Sequence, residues 1–239
     1  MRRWGVVFLS FGSLMGCHGV EAKRGFGSQV GSPNLTPKET PPPPSSNGDV
    51  GESCKSQDPS FLCLGLKYVV YKDEDNVPVV TSKQAASNVR AMNAVWKKCK
   101  IAFQIDQYLD AKPSDYKLQF NPEEDTELDD ARKAFETNEM LLVITTGKWD
   151  RSGSLGDTGA NAWTAMPGND LYGVVLESPV GRYPNIIAHE LGHYLNLYHK
   201  EDSSNLMNPI IYDDSTELKE AQCEKSRAAI SKYWAAMKR

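Results

Sequence analysis

HELGHYLNLYH, residues 189–199, holds three of the four histidines of a 239-residue chain and puts a glutamate directly after the first. On a helix, His189 and His193 stand four apart on one face, so both imidazoles reach a common ion while Glu190 is offset to the side. This is the spacing of HExxH zinc sites. Zinc takes neutral imidazole nitrogens at about 2.0–2.1 Å, and a catalytic site keeps three protein ligands and leaves one position to water. His199 lies six residues beyond His193, and at about 100° per residue an unbroken helix turns it about 240° from the shared face. The helix must therefore end between them. Asn196 is expected to end it, because asparagine is second only to glycine in accepting the left-handed conformation that closes a helix sharply.

His189, Glu190, His193 and His199 fall on the pattern HExxHxxGxxH of metzincin zinc proteases, with Asn196 at the glycine position, and the chain resembles that family. Metzincins also carry a methionine turn after the third histidine. Here NLMNP, residues 205–209, places Met207 eight residues past His199, similar to matrixin-type members. The resemblance implies Zn²⁺ held by His189, His193 and His199, Glu190 as general base, and Met207 as an apolar floor that does not bond the metal. It also implies an α/β (α+β) fold: a mixed twisted sheet with a long helix, an active-site helix and a small C-terminal helical subdomain. The edge strand that pairs with a substrate peptide falls, by the same resemblance, at about Ala160–Ala165. Some members carry a tyrosine two residues after the methionine; Pro209 stands there, so no tyrosine is expected to assist.

Other readings of the same residues exist. The first two histidines can be core residues with His199 on the surface beside Lys200, or a distant glutamate such as Glu217 or Glu220 can supply the third ligand. His199 at its offset makes that glutamate superfluous. The implied function is a zinc-dependent endopeptidase acting on peptide or protein substrates. A binding or adhesion module on the same fold is the alternative from another class, although such a module has no need of Glu190. Hydrolysis of cell-wall peptide cross-links uses similar chemistry, and the sequence does not separate it from protein hydrolysis.

The N-terminus reads as an address. Arg2 and Arg3 precede an apolar run, Val6–Leu14, that is too short to span a bilayer, and LMGC, residues 14–17, resembles a bacterial lipobox. Residues 1–16 are expected to be a lipoprotein signal peptide and Cys17 the lipidated first residue, giving an exported protein of the bacterial cell envelope. A plain secretory signal cleaved nearby is the other reading. Loss of Arg2 and Arg3 moves the formal charge from −4 to about −6, which argues against a nucleic-acid partner. Residues 17–52, which include PPPP at 41–44, have too few large apolar side chains to fold and read as a tether, extended by about 3.1 Å per residue where stiff.

Four cysteines remain beyond Cys17, and an even number outside the cytoplasm favours disulfides, with three possible connectivities. Cys54 with Cys63 closes a short local loop, and Cys99 with Cys223 ties the end of one helix to the C-terminal helix; this pairing is favoured. Cys54 as a propeptide cysteine that blocks the zinc is the competing reading, but the motif that surrounds such a cysteine is missing.

Residues 53–239 have the composition and length of one domain, expected to be monomeric. LKYVVYKD (66–73) reads as a strand, 82–99 as a helix with Val89, Met92, Val95 and Trp96 on one stripe, and IAFQIDQYL (101–109) as an alternating strand. TELDDARKAFE (126–136) reads as a helix capped by Thr126, and MLLVITTG (140–147) as a strand buried on both faces. ANAWTAMP and LYGVVLES read as two strands before the zinc helix. A last helix is expected over about Thr216–Met237, packing Leu218, Ala221, Ala228 and Trp234.

Overall fold

The computed structural model describes Cys54 and residues 58–168, 171–178 and 180–239. Residues 1–52, which the sequence reading takes as a signal peptide and tether, lie outside these residues, Cys17 among them. Among the described residues, five strands form one sheet in the order β2-β1-β3-β5-β4. β1 (Leu62–Tyr71) pairs in parallel with β2 (Ile101–Ala111) and with β3 (Leu141–Thr145), and β3 pairs in parallel with β5 (Val174–Leu176). β4 (Ala162–Thr164) pairs antiparallel with β5 and stands at the sheet edge.

Side-chain alternation divides two cores. Leu64, Leu66, Tyr68 and Val70 of β1 join Leu141, Val143, Val174 and Leu176 on one face, under α1 (Ser82–Trp96) and α4 (Pro184–Tyr194). Val69, Tyr71, Leu142, Ile144 and Val175 point to the other face, where α2 (Asp125–Phe135) contributes Leu128, Ala131 and Phe135. β3 is buried along its whole length, which is why its sequence is a continuous apolar run. α3 (Ser154–Thr158) is a single short turn in the loop before β4, and α5 (Glu220–Tyr233) closes the chain.

Several boundaries differ from the sequence expectation. α1 stops at Trp96 and tightens into a 3₁₀ turn, Lys97–Cys99, before Lys100 enters the left-handed region at φ 53°. Thr126 does not cap α2. Glu124 precedes its first turn, and the Glu127 carboxylate accepts from the backbone N–H of Glu123 (2.7 Å) and Glu124 (3.0 Å). The last helix begins at Glu220 and not at Thr216, because the Glu217 backbone is committed elsewhere: its N–H donates to the Ser204 carbonyl and its carbonyl accepts from Leu206. Ala221 and Ala228 are exposed; the buried face of α5 is Gln222, Cys223, Ser226, Ala229 and Ile230. Leu218 and Trp234 are buried as expected. Disulfides join Cys54 to Cys63 and Cys99 to Cys223, the second linking residues 124 positions apart.

Candidate metal centre

α4 opens with Pro184, whose missing N–H costs nothing in a first turn, and it carries His189, Glu190 and His193 into the interior, all nearly inaccessible to solvent. Its end is a Schellman motif. Asn196 has φ 67°, its N–H donates to the His193 carbonyl at 2.8 Å, and the Leu197 N–H reaches back to the Gly192 carbonyl at 2.8 Å. The left-handed residue expected from the sequence is therefore present, and the chain turns there so that His199 returns to the other two histidines.

The three rings converge. His193 Nε2 lies 3.1 Å from His189 Nε2 and 3.2 Å from His199 Nε2. His189 Nδ1 donates to the Leu206 carbonyl at 2.7 Å, and His193 Nδ1 to the Leu197 carbonyl at 2.8 Å. A carbonyl only accepts, so on both rings the proton sits on Nδ1 and Nε2 turns a lone pair to the centre. Burial pushes the His189 pKa down to about 3 and that of His193 well below its ordinary value, with neighbouring imidazoles adding to the effect. Neutral rings with converging lone pairs repel unless a cation lies among them. Tetrahedral zinc with bonds of about 2.0–2.1 Å places its ligand nitrogens about 3.3 Å apart, close to the two separations from His193, and the three ligand atoms all lie within 4.8 Å of one another. Among the described residues this is the one cluster of three or more potential metal-ligating side chains. Neither Glu217 nor Glu220 belongs to it.

Met207 packs directly beneath. A Cβ placed on Gly192 would lie 2.4 Å from the Met207 sulfur, so the glycine inside HELGH admits the methionine to the helix surface. The turn is fixed by Asn205, whose side-chain carbonyl accepts from the Met207 N–H at 3.0 Å while its amide pairs reciprocally with that of Gln222 on α5, at 2.9 and 3.0 Å. Because Leu206 both precedes Met207 and accepts from His189, the turn orients a ligand as well as underlying the site. Trp234 caps the same, C-terminal end of α4 by donating from its indole N–H to the Tyr194 carbonyl at 2.9 Å.

The edge strand meets the same helix from above the ligands' sequence neighbour: the Thr164 hydroxyl donates to a Glu190 carboxylate oxygen at 2.5 Å. On the opposite face Arg132, which is buried, donates to the carbonyls of Trp163 (2.8 Å) and Gly173 (3.0 Å) and pairs with Asp129 at 2.8 Å. The loop leading to β4 is tied down by buried Glu177, which pairs with Arg151 and accepts from Asn161 and from the Trp149 N–H. Sequence reasoning found His189, Glu190, His193, His199 and Met207, and the structure brings all five together. It missed Arg132, Thr164, Glu177, Asn205 and Gln222. Arg132 alone left a signal, since it falls on the stripe Leu128, Ala131, Phe135 where an apolar residue belongs.

His189 and His193 on one helix, with His199 just past its end and the edge strand of a mixed sheet beside them, form a site able to hold a metal ion. The sequence model of the matrixin peptidases matches residues 65–228, and the chain belongs to the matrixin family. Among solved structures, the crystal structure of metalloproteinase-II from Bacteroides fragilis is similar at a TM-score of 0.48 and 13% identity, over 72% of this chain and 59% of that one. No curated protein matches the sequence significantly.

Proposed function

We propose that this matrixin is a zinc-dependent endopeptidase, exported and held at the bacterial cell envelope by lipid on Cys17. The observation that carries the catalytic part is the convergence of three imidazole Nε2 atoms, two of them on rings fixed as neutral donors of a lone pair, with Glu190 buried beside them. His189, His193 and His199 would hold the ion. When bound, zinc polarises a carbonyl and makes water more acidic.

The chain's own groups do the rest. Glu190 takes the proton of the attacking water and hands it to the leaving amine. Met207 and the residues around it keep the floor apolar and the imidazoles in place. The outer edge of β4, unpaired with any other strand among the described residues, accepts the substrate backbone as an added strand. The anchoring part rests on LMGC and the proline-rich segment after it.

The test is elemental analysis of the purified protein together with cleavage of a diverse peptide library, before and after chelation. Stoichiometric zinc and cleavage that chelation removes and zinc restores are expected. A zinc-loaded protein that cleaves neither proteins, peptides nor wall peptides would favour the binding module. For the anchor, Cys17→Ser should release the protein from membranes, and wild-type protein recovered as soluble with an unmodified terminus would contradict it.

A further inference from the structure

We propose that Thr164 is a positioning residue that orients the Glu190 carboxylate from the edge strand; this rests on the peptidase reading of the site. Thr164 is fully buried and Glu190 is 2% exposed, so no bulk water competes for the contact between them. The Thr164 hydroxyl donates to a Glu190 carboxylate oxygen at 2.5 Å, at the short end of the range for such bonds. Threonine suits the task because β-branching restricts χ1 and points the hydroxyl in one direction.

Thr164 does not act from a loose support. It ends β4, paired with Val174 across the sheet, while the carbonyl of its neighbour Trp163 is held from the opposite face by Arg132. β4 is thus fixed on one face by a guanidinium and on the other by the glutamate itself. The strand whose outer edge receives the peptide is also the strand that aims the base. One three-residue element therefore sets the base and the substrate backbone in a common frame, and the register between carboxylate and scissile bond is built into the sheet. Losing the hydroxyl leaves the ligands and the peptide-binding edge intact and removes the hold of the edge strand on the carboxylate.

The test compares wild type, Thr164→Val and Thr164→Ser, each loaded with zinc, by crystal structure, zinc analysis, thermal unfolding and steady-state cleavage. The valine variant is expected to bind zinc as wild type does and to show Glu190 turned or in more than one orientation. Its kcat should fall about 10-fold or more with little change in KM, the scale that misplacement of a catalytic group produces. The serine variant, which keeps the donor, should recover most of the loss. Thr164→Ala removes the donor without adding a methyl group and takes the place of valine if that variant does not fold. A valine variant with Glu190 in its wild-type orientation and wild-type kcat overturns the proposal, as does one that loses zinc together with activity, since the role would then be structural. If wild type hydrolyses nothing, the peptidase reading fails, and the orientation of Glu190 in the crystals still decides whether Thr164 positions it.

Discussion

The two regions that build the site are encoded in opposite ways. Residues 189–199 place three histidines, the glutamate and the left-handed turn in one contiguous stretch, two of the histidines and the glutamate at fixed helical offsets and His199 returned by the turn. β4 is only three residues long and, beyond its pairing with β5, is held by distant groups: Arg132, 31 residues before Trp163, and Glu190, 26 residues after Thr164. Chemistry that requires several side chains around one point is written as spacing on a helix, because the helix sets their directions. Chemistry that requires a strand edge to be held still is written in residues that meet only after folding.

The contrast is broken most strongly by removing a ligand. His193→Ala should lose both metal and cleavage, since two imidazoles do not hold the ion tightly, while circular dichroism of the sheet stays near wild type; retained stoichiometric zinc would show that the three-histidine geometry is not the binding site. Arg132→Met attacks the other region. It leaves the carbonyls of Trp163 and Gly173 without their donor, which should cost roughly 2–4 kcal/mol in denaturant unfolding and raise KM with zinc content unchanged. Loss of zinc in that variant would mean the two regions are not separable. The smallest effect is expected at the turn. Asn196→Gly should be tolerated, whereas Asn196→Val should cost about 1–3 kcal/mol because a β-branched residue is strained at φ 67°, and it should weaken zinc binding; equal zinc affinity in both would dismiss the turn as the device that returns His199.

How far the sequence was legible follows the same division. The histidine-bearing helix, its end at Asn196 and both disulfides were readable, since each rests on local spacing, conformational preference or loop length, while the methionine turn followed from the resemblance to metzincins. The stripe of α1 and the doubly buried β3 were readable from periodicity. The start of the last helix was not, because Glu217 spends its backbone on the segment around Leu206, a pairing across the chain that no local pattern at 216–219 reveals. Thr126 has the residue type of a cap, yet it lies inside the first turn, and the cap position falls on Glu124, whose N–H the Glu127 carboxylate takes. Thr164 alternates as any strand residue does, and nothing in ANAWTAMP names a glutamate as its partner.

Glu190 is the point where the two regions meet, and its substitution tests the central claim most directly. Glu190→Gln keeps the shape of the side chain and removes its ability to take a proton. Measured side by side with wild type for bound zinc and for cleavage of the best library peptide, the variant should keep its zinc and fold while kcat falls by about 10²–10⁴. A glutamine variant that cleaves as fast as wild type, with the metal in place, would contradict the account.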